Sequence, residues 1–577
     1  MNKEQFGVRL TTAAFNAGFD PFPSSYVAAW IMLKARECNL VEIDNISDFL
    51  RHLEIEPAMA KLIISVVSSH WSEYLPTLAE ATTDDLKEYL YADNDRSPIG
   101  VFRTPESILD FAMGMLDIPD GGSFVDVGSG LGSILIRVAS QTKAGAIAGL
   151  EISKEANLIA RLRIDIANEQ SRVKVETLNA FSARRDEAKY DRAYCHPPFG
   201  LKFIPDKINA FVSEMHSLPK FGISVSTDWF FAMRTASLLK DGGRGIVILT
   251  NSAMSGKAEM NLRKYLVEQN LIHAVIELPS GLMGYSAMPI TLVVLDKSRP
   301  IAYTDILLVD ASEMGRKRGR KTMLSAEDVA ALTACVRNGK PLSHEAHLLC
   351  KSVPRHEIEH DSFILTPRRY INSVVEKDSQ GVPLGELVLS IRRGISFPAG
   401  ELDNLMSCEP TGIHYVTQAN IQDGIIDDSL PCLKSIPDGK RQYCATSGDL
   451  LLTKLGRPLR IACVGGQAPL GLIVSSNLYI ISLKPGVVEP QWIKAYIESD
   501  EGQRALERLS VGETMPTVTI PDLKKLMIPM PGKEIRQSVV ESYLEKQTRV
   551  AGLRKQLEFA RKELFSVYNE AMKGTKE

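Results

Sequence analysis

Three glycines at alternate positions constrain this chain more than any other feature. In Phe124-Val125-Asp126-Val127-Gly128-Ser129-Gly130-Leu131-Gly132-Ser133, a short apolar run carrying one acid leads into Gly128, Gly130 and Gly132, and a second apolar run follows at 134–138. That order predicts strand, tight turn, helix. Glycine turns sharply and lets backbone approach a ligand closely. In an open α/β sheet such a turn lies at the carboxyl end of the first strand, where ligands bind. The spacing is not the dinucleotide Gly-x-Gly-x-x-Gly. On its own it leaves open a structural turn and a nicotinamide-dependent oxidoreductase.

The segments that follow narrow the choice. A second strand is predicted at 144–150, ending in Glu151. An acid about 20 positions past a glycine turn, at the next strand tip, is placed to accept from two ribose hydroxyls. A third strand at 173–178 ends in Asn179-Ala180-Phe181, and a fourth at 190–194 runs into Cys195-His196-Pro197-Pro198-Phe199-Gly200. Strand, helix, strand, with each strand ending in a polar group, predicts a doubly wound sheet with its site along one edge. Two prolines cannot extend a strand, so they fix a rigid loop with free carbonyls. Phe199 adds a flat surface beside those acceptors, which suits a planar base bearing an exocyclic amine. Upstream, Thr104-Pro105-Glu106 reads as a helix start, or as backbone and a hydroxyl touching a ligand over the glycine turn.

The wider chain sets limits. Its 577 residues imply several domains. Eight scattered cysteines without a Cys-x-x-Cys pair argue against a zinc site or a disulfide framework and favour a reducing cytoplasm. No run of 18 apolar residues predicts a membrane span, and the first residues lack a secretory apolar core. The net charge of −3 means that any nucleic-acid surface must be local. Residues 1–98 read as a helical domain, with Phe6, Leu10, Ala13 and Ala14 at helical spacing. Asp85-Leu86-Lys87 there is a poor nuclease match and reads as a solvated helix face.

The ordered motifs resemble the DNA N-6 adenine methyltransferases of type I restriction-modification systems, the HsdM-like modification subunits. The similarity covers about 95–345, a methyltransferase domain placed at 99–345. It implies S-adenosylmethionine on the glycine turn, held by Asp126, Gly128, Gly130, Glu151, Asn179 and Ala180. Phe102, Thr104 and Pro105 match the family's extra cofactor motif. His196-Pro197-Pro198-Phe199 stands where the family has Asn-Pro-Pro-Phe or Asn-Pro-Pro-Tyr. There the base, flipped from duplex DNA, has its amine gripped by the Asn oxygen and the first proline carbonyl. His196 departs from that pattern. A neutral imidazole accepts only in one tautomer, and an imidazolium not at all. If His196 is the acceptor, methylation is expected to fall as pH drops through about 6.5, the unperturbed imidazole value. The competing expectation is a DNA-binding protein that has lost turnover. Cys195 reads as a buried structural thiol.

Beyond this, Gly315-Arg316-Lys317-Arg318-Gly319-Arg320-Lys321 packs five cations into seven residues, as a solvated loop or a phosphate contact. Residues 346–380 read as a linker, and His344, His347, His356 and His360 are too irregularly spaced for a metal site. Short β-like runs and turns over 381–532 resemble half of a type I specificity subunit, a single HsdS-like target recognition domain that reads double-stranded DNA. The segments carrying this are Ile391-Arg392-Arg393-Gly394, Gln418-Ala419-Asn420-Ile421 and Gly512-Glu513-Thr514-Met515-Pro516. The tail, 533–577, reads as a helix with a seam at Tyr543, Lys546, Val550, Leu553, Leu557, Ala560, Leu564 and Val567. The seam is expected to pack on its own recognition domain or, as the resemblance implies, antiparallel against a second such helix in a homodimer. No nuclease or helicase motif is present, so restriction would need a separate restriction or translocase subunit.

Overall fold

The computed structural model describes residues 3–16, 18, 22–40, 43, 45–91, 104–182, 189–199, 201, 206–216, 221, 225–283, 286, 288–300, 302–340, 348–371, 381–427, 429–456, 458–465, 471–511 and 517–573. Phe102, His344, His347 and the segment 512–516 lie outside them. The chain divides into two compact units, Met1–Ile371 and Asn372–Glu577.

The first unit is built on a nine-stranded sheet among the described residues. Its strands are β1 (Ser123–Val127), β2 (Ala146–Glu151), β3 (Val173–Thr177), β4 (Tyr190–Cys195), β5 (Leu239–Thr250), β6 (Ile272–Glu277), β7 (Ile290–Asp296), β8 (Ile306–Asp310) and β11 (Leu349–Val353); β9 (Arg316–Arg318) and β10 (Lys321–Met323) form a separate hairpin. The spatial order is β11-β8-β6-β7-β5-β4-β1-β2-β3, with β7 antiparallel to both β5 and β6. The chain runs from β1 out through β2 to β3, then crosses to β4 on the other side of β1. That reversal opens a crevice at the carboxyl ends of β1 and β4. Strands covered on both faces read as apolar runs. Phe124, Val125 and Val127 are fully buried, as is all of β7. Each such side chain contributes roughly 1.5–3 kcal/mol by leaving water.

The first six helices among the described residues are α1 (Lys3–Asn16), α2 (Ser24–Glu37), α3 (Ile46–His52), α4 (Pro57–Val67), α5 (Trp71–Glu80) and α6 (Thr83–Tyr91). Helix α2 is apolar around most of its circumference, which marks a central helix, and its residues 24–33 are all buried. These helices share one core with the helix Lys154–Ile166 through Ala156, Ile159 and Leu162. Trp30 Nε1 donates to Asp165 Oδ2 at 3.0 Å. Arg163, 3% exposed, donates to the Leu131 carbonyl at 2.8 Å, to Ser133 Oγ at 3.2 Å and to the Tyr91 carbonyl at 3.0 Å. It thereby ties the end of α6 to the glycine turn.

The stretch 346–380, expected to be a linker, is largely part of this unit. β11 pairs antiparallel with β8 at the sheet edge. Ile358, Leu365 and Tyr370 are buried in the main core. Residues 372–380 lie outside the described set.

The second unit holds a four-stranded antiparallel sheet of Val388–Arg393, Leu478–Leu483, Leu450–Thr453 and Ile461–Cys463. A five-stranded sheet includes Ile413–Val416 and Gly471–Val474. Helices Pro490–Glu498 and Asp500–Leu509 supply Trp492, Ile493, Ile497 and Leu506 to its core. A helix of 41 residues, Lys533–Lys573, ends the described chain.

Replacing Arg163 with Ala strands buried carbonyls that its guanidinium satisfies. Urea unfolding is expected to show a loss of about 2–4 kcal/mol. A loss under about 0.5 kcal/mol would mean that water replaces these contacts at no cost.

Candidate active site at the carboxyl edge of the sheet

The register of three parallel strands builds the site. Val127 pairs with Leu150 on one side and with Cys195 on the other. The next residues on β1 and β4, Gly128 and His196, therefore leave neighbouring strands side by side, about 4.8 Å apart by strand spacing.

Gly128, Gly130 and Gly132 all have positive φ, at 82°, 51° and 77°. Side chains at these positions would be strained. Among the described residues nothing lies within 4 Å of where a Cβ on Gly128 would sit. The Gly128 and Ser129 amides donate to the Leu150 carbonyl at 2.8 and 3.0 Å. Gly130 N donates to Glu151 Oε2, and Ser153 N to Glu151 Oε1, both at 2.8 Å. Glu151 thus clamps the turn. A carboxylate offers about four acceptor sites, so capacity remains.

Asp126 is buried, and among the described residues its Oδ1 has no hydrogen-bond partner; nor has the buried Ser129 Oγ. Burial, and then the nearby charge of Glu151, hold the Asp126 carboxyl well above the usual carboxylate range. Asn179 follows β3 and caps its own turn, with Phe181 N donating to its Oδ1 at 3.0 Å. Ala180 is buried beside it.

His196 is the focus of the β4 loop. Its Nδ1 lies 2.6 Å from Thr104 Oγ1, just ahead of α7 (Glu106–Leu116). Tyr194 Oη donates to the same Thr104 oxygen at 3.4 Å. His196 Nε2 is buried and has no partner among the described residues. Burial lowers the imidazole pKa from its usual 6.5 to about 4. That lies below the 6.5 of a free imidazole, because shielding from water disfavours the charged form. The Phe199 ring sits 5.1 Å from the imidazole, tilted by 46°. Pro197 is buried and Pro198 half-buried. Cys195 is fully buried with its thiol pushed up, by burial first and then by Asp126, so it is no nucleophile.

The structure thus brings Asp126, Gly128, Gly130, Glu151 and the His196–Phe199 loop to one edge, with Thr104 touching His196 directly. Pro105 sits beside Thr104 as the N-cap of α7. Two residues were missed by sequence reasoning. Tyr194 shares the face of His196, a signal present in the period-two alternation of β4. Asp228, fully buried at the start of Asp228–Leu238, accepts from Thr250 N at 3.1 Å and Thr250 Oγ1 at 2.6 Å, while its Oδ1 is unpartnered. Among the described residues no cluster of His, Cys, Asp and Glu could hold a metal ion.

Comparison with known proteins assigns the sheet. The N-6 DNA Methylase family model matches residues 83–379, just over half of the chain. The chain belongs to the N-6 DNA methylase family. It is 26% identical over 346 residues to the MpnII type I restriction enzyme methylase subunit of Mycoplasma pneumoniae, covering 56% of this chain and 62% of that one. It is 26% identical over 153 residues to the HindI methylase subunit of Haemophilus influenzae, covering 26% of this chain and 34% of that one. The chain thus spans less than two thirds of these relatives. The type IIG restriction endonuclease BpuSI shares the fold, with a TM-score of 0.52 and 13% identity, over 94% of this chain and 75% of that one. No described helix is long and apolar enough to cross a membrane.

The depressed His196 pKa has a thermodynamic consequence. Between pH 6.5 and about 4 the unfolded chain binds a proton that the native imidazole refuses, so stability falls as pH falls through that window. In His196→Asn this contribution disappears. Urea midpoints at pH 7 and pH 5 are expected to differ less in the variant than in the parent; an equal or larger difference would show that His196 titrates normally in the fold.

Proposed function

We propose that this chain is an S-adenosylmethionine-dependent DNA methyltransferase acting on adenine N6, the modification and specificity component of a restriction-modification system. The observation that carries this reading is the pairing of Val127 with Cys195. It sets the glycine turn beside the Pro-Pro-Phe loop in a member of the N-6 DNA methylase family.

The cofactor fits the residues present. Among the described residues, open space over Gly128, the unpartnered Asp126 Oδ1 and the spare acceptor capacity of Glu151 suit a nucleoside ligand. Asp126, Gly128, Gly130, Glu151, Asn179 and Ala180 would hold it. When bound, S-adenosylmethionine supplies an electrophilic methyl group. Phe199 stacks on the extruded base. The Pro197 carbonyl and His196 Nε2 accept from the N6 amine, drawing its lone pair out of conjugation. Nδ1–H then donates to Thr104 Oγ1, which also accepts from Tyr194. Because burial holds the imidazole neutral, the proton that N6 sheds leaves to solvent after the methyl group has moved and the sulfonium C–S bond has broken. Much of the gain comes from alignment.

A second reading is favoured by the same contact. If the Thr104 hydroxyl donates to Nδ1, Nε2 carries the hydrogen and cannot grip an amine. The chain would then bind DNA without turnover.

Labelled methyl transfer to mixed-sequence duplex separates the two. The first reading expects label on adenine in the parent. Thr104→Val should lower kcat by about 10- to 100-fold, one positioned hydrogen bond, with cofactor affinity nearly unchanged. Thr104→Ser should restore the rate. The rate should stay level from pH 8 to about 5, because the imidazole is neutral throughout. An inert parent in which His196→Asn creates activity establishes the second reading.

We further read the second unit as a single target recognition domain of double-stranded DNA, in a cytoplasmic protein that acts with a separate restriction or translocase subunit. Its long helix supports self-association only over its distal part. Tyr543, Lys546 and Val550 line a cavity of about 640 Å³ within this unit. Lys494 donates to Gln547 at 2.9 Å, and Arg554 pairs with Asp423 at 2.9 Å. Leu553, Leu557 and Leu564 are 56, 52 and 66% exposed. A homodimer through this stretch would bury them. Leu557→Asp with Leu564→Asp should convert dimers to monomers in sedimentation; dimers that persist would remove the helix from this role.

A further inference from the structure

We infer that the β9–β10 hairpin is a phosphate-contact element for duplex DNA beside the active site; this rests on the methyltransferase reading. The hairpin turns at Gly319, whose φ is 63°. Its register pairs Lys321 with Arg318, Thr322 with Lys317 and Met323 with Arg316. Paired residues of an antiparallel ladder share a face. Thr322 and Lys317 therefore lie on one face, and Arg316, Arg318, Lys321 and Met323 on the other.

The Thr322 face is bolted down. Thr322 is 5% exposed, its Oγ1 donates to the Ser280 carbonyl at 2.6 Å and its amide to the Gly281 carbonyl at 2.9 Å. A Cβ on Gly281 would stand 2.3 Å from the Arg320 carbonyl oxygen, and one on Gly315 would stand 2.7 Å from that of Met323. The hairpin base is backbone against backbone, with no room for side chains.

The charges of the hairpin are all positive, three of them (Arg316, Arg318 and Lys321) on the face away from Thr322. Arg316, Lys317, Arg318, Arg320 and Lys321 are all exposed, and none forms an ion pair or side-chain hydrogen bond among the described residues. Arg318 stands directly across from Lys321, and like charges so placed destabilise a ladder. A chain with a net charge of −3 has thus gathered five cations on an anchored hairpin without neutralising them. An external polyanion resolves that repulsion.

The anchor fixes the location. Ser280 and Gly281 follow β6, which runs parallel to β4 because both are separated from β7 by the same reversal. The hairpin base therefore stands on the carboxyl edge that carries His196. Three strand spacings separate β4 from β6, about 14 Å. DNA carries one phosphate charge per about 1.7 Å of its axis. Duplex flanking a base held at His196 has phosphates at that range.

The test uses the full chain and non-specific duplex DNA. Binding is measured from 50 to 200 mM salt for the parent and for Arg316→Gln with Arg318→Gln and Lys321→Gln. Each lost phosphate contact removes about 0.9 from the slope of log affinity against log salt. The triple variant is expected to lose about 2 to 3 from that slope, with unchanged S-adenosylmethionine affinity. Arg320→Gln and Lys321→Gln, made singly, should each lose about 1, and they keep the test decisive if the triple variant fails to fold. An unchanged slope in a parent that methylates DNA overturns the hairpin role alone. Loss of binding to anionic vesicles with an unchanged DNA slope overturns it in favour of a lipid surface. A parent that neither binds nor methylates DNA overturns the methyltransferase reading and, with it, this one.

Discussion

Val127 is gripped between Leu150 and Cys195 in a parallel ladder, and the rest of the site depends on that register. Hydrogen bonds in the strands fix where each chain leaves the sheet. A shift of one residue would turn Asp126 and His196 to opposite faces. Glu151 then locks the arrangement by accepting from Gly130 and Ser153, so the second strand tip holds the first turn in shape. Buried apolar strands supply the energy for this geometry, and they let polar groups such as Asp126 Oδ1, Ser129 Oγ and His196 Nε2 remain unpartnered where water cannot reach. Such groups cost stability unless something answers them. Their concentration at one edge is the physical signature of a binding site.

Much of this was legible in the residues. Apolar runs ending in Asp126-Val127, Glu151, Asn179 and His196 announce strands whose tips carry polar groups, because glycines and prolines stop each run where the ladder stops. Other parts were not legible. Thr104 and His196 are 92 positions apart, and no local pattern tells that a hydroxyl ahead of one helix meets an imidazole beyond β4. The strand Leu349–Val353 was hidden because it borders the sheet on one side only, and its mixed burial lacks an apolar face. Lys317-Arg318 carries no β signal, and its strand exists because Thr322, Gly281 and Gly315 pin the hairpin base.

The site and the hairpin share a logic. His196 is kept neutral by burial, so its chemistry is set by which way one hydrogen bond to Thr104 runs and not by bulk pH. The hairpin keeps like charges opposed on a rigid support. In both places the fold holds groups in states that isolated residues would avoid, and in both a DNA substrate would relieve the cost. Positive charge that is local within a slightly acidic chain confines that attraction to one edge of the sheet.

The central claim is that the β1 and β4 tips form one site that modifies an adenine. Sequencing that detects modified bases in genomic DNA, from a host with this chain and from the same host without it, addresses the claim most directly. N6-methyladenine recurring at one sequence motif only when the chain is present is the predicted result. A folded chain that binds S-adenosylmethionine yet leaves no motif-linked modified adenine would contradict it.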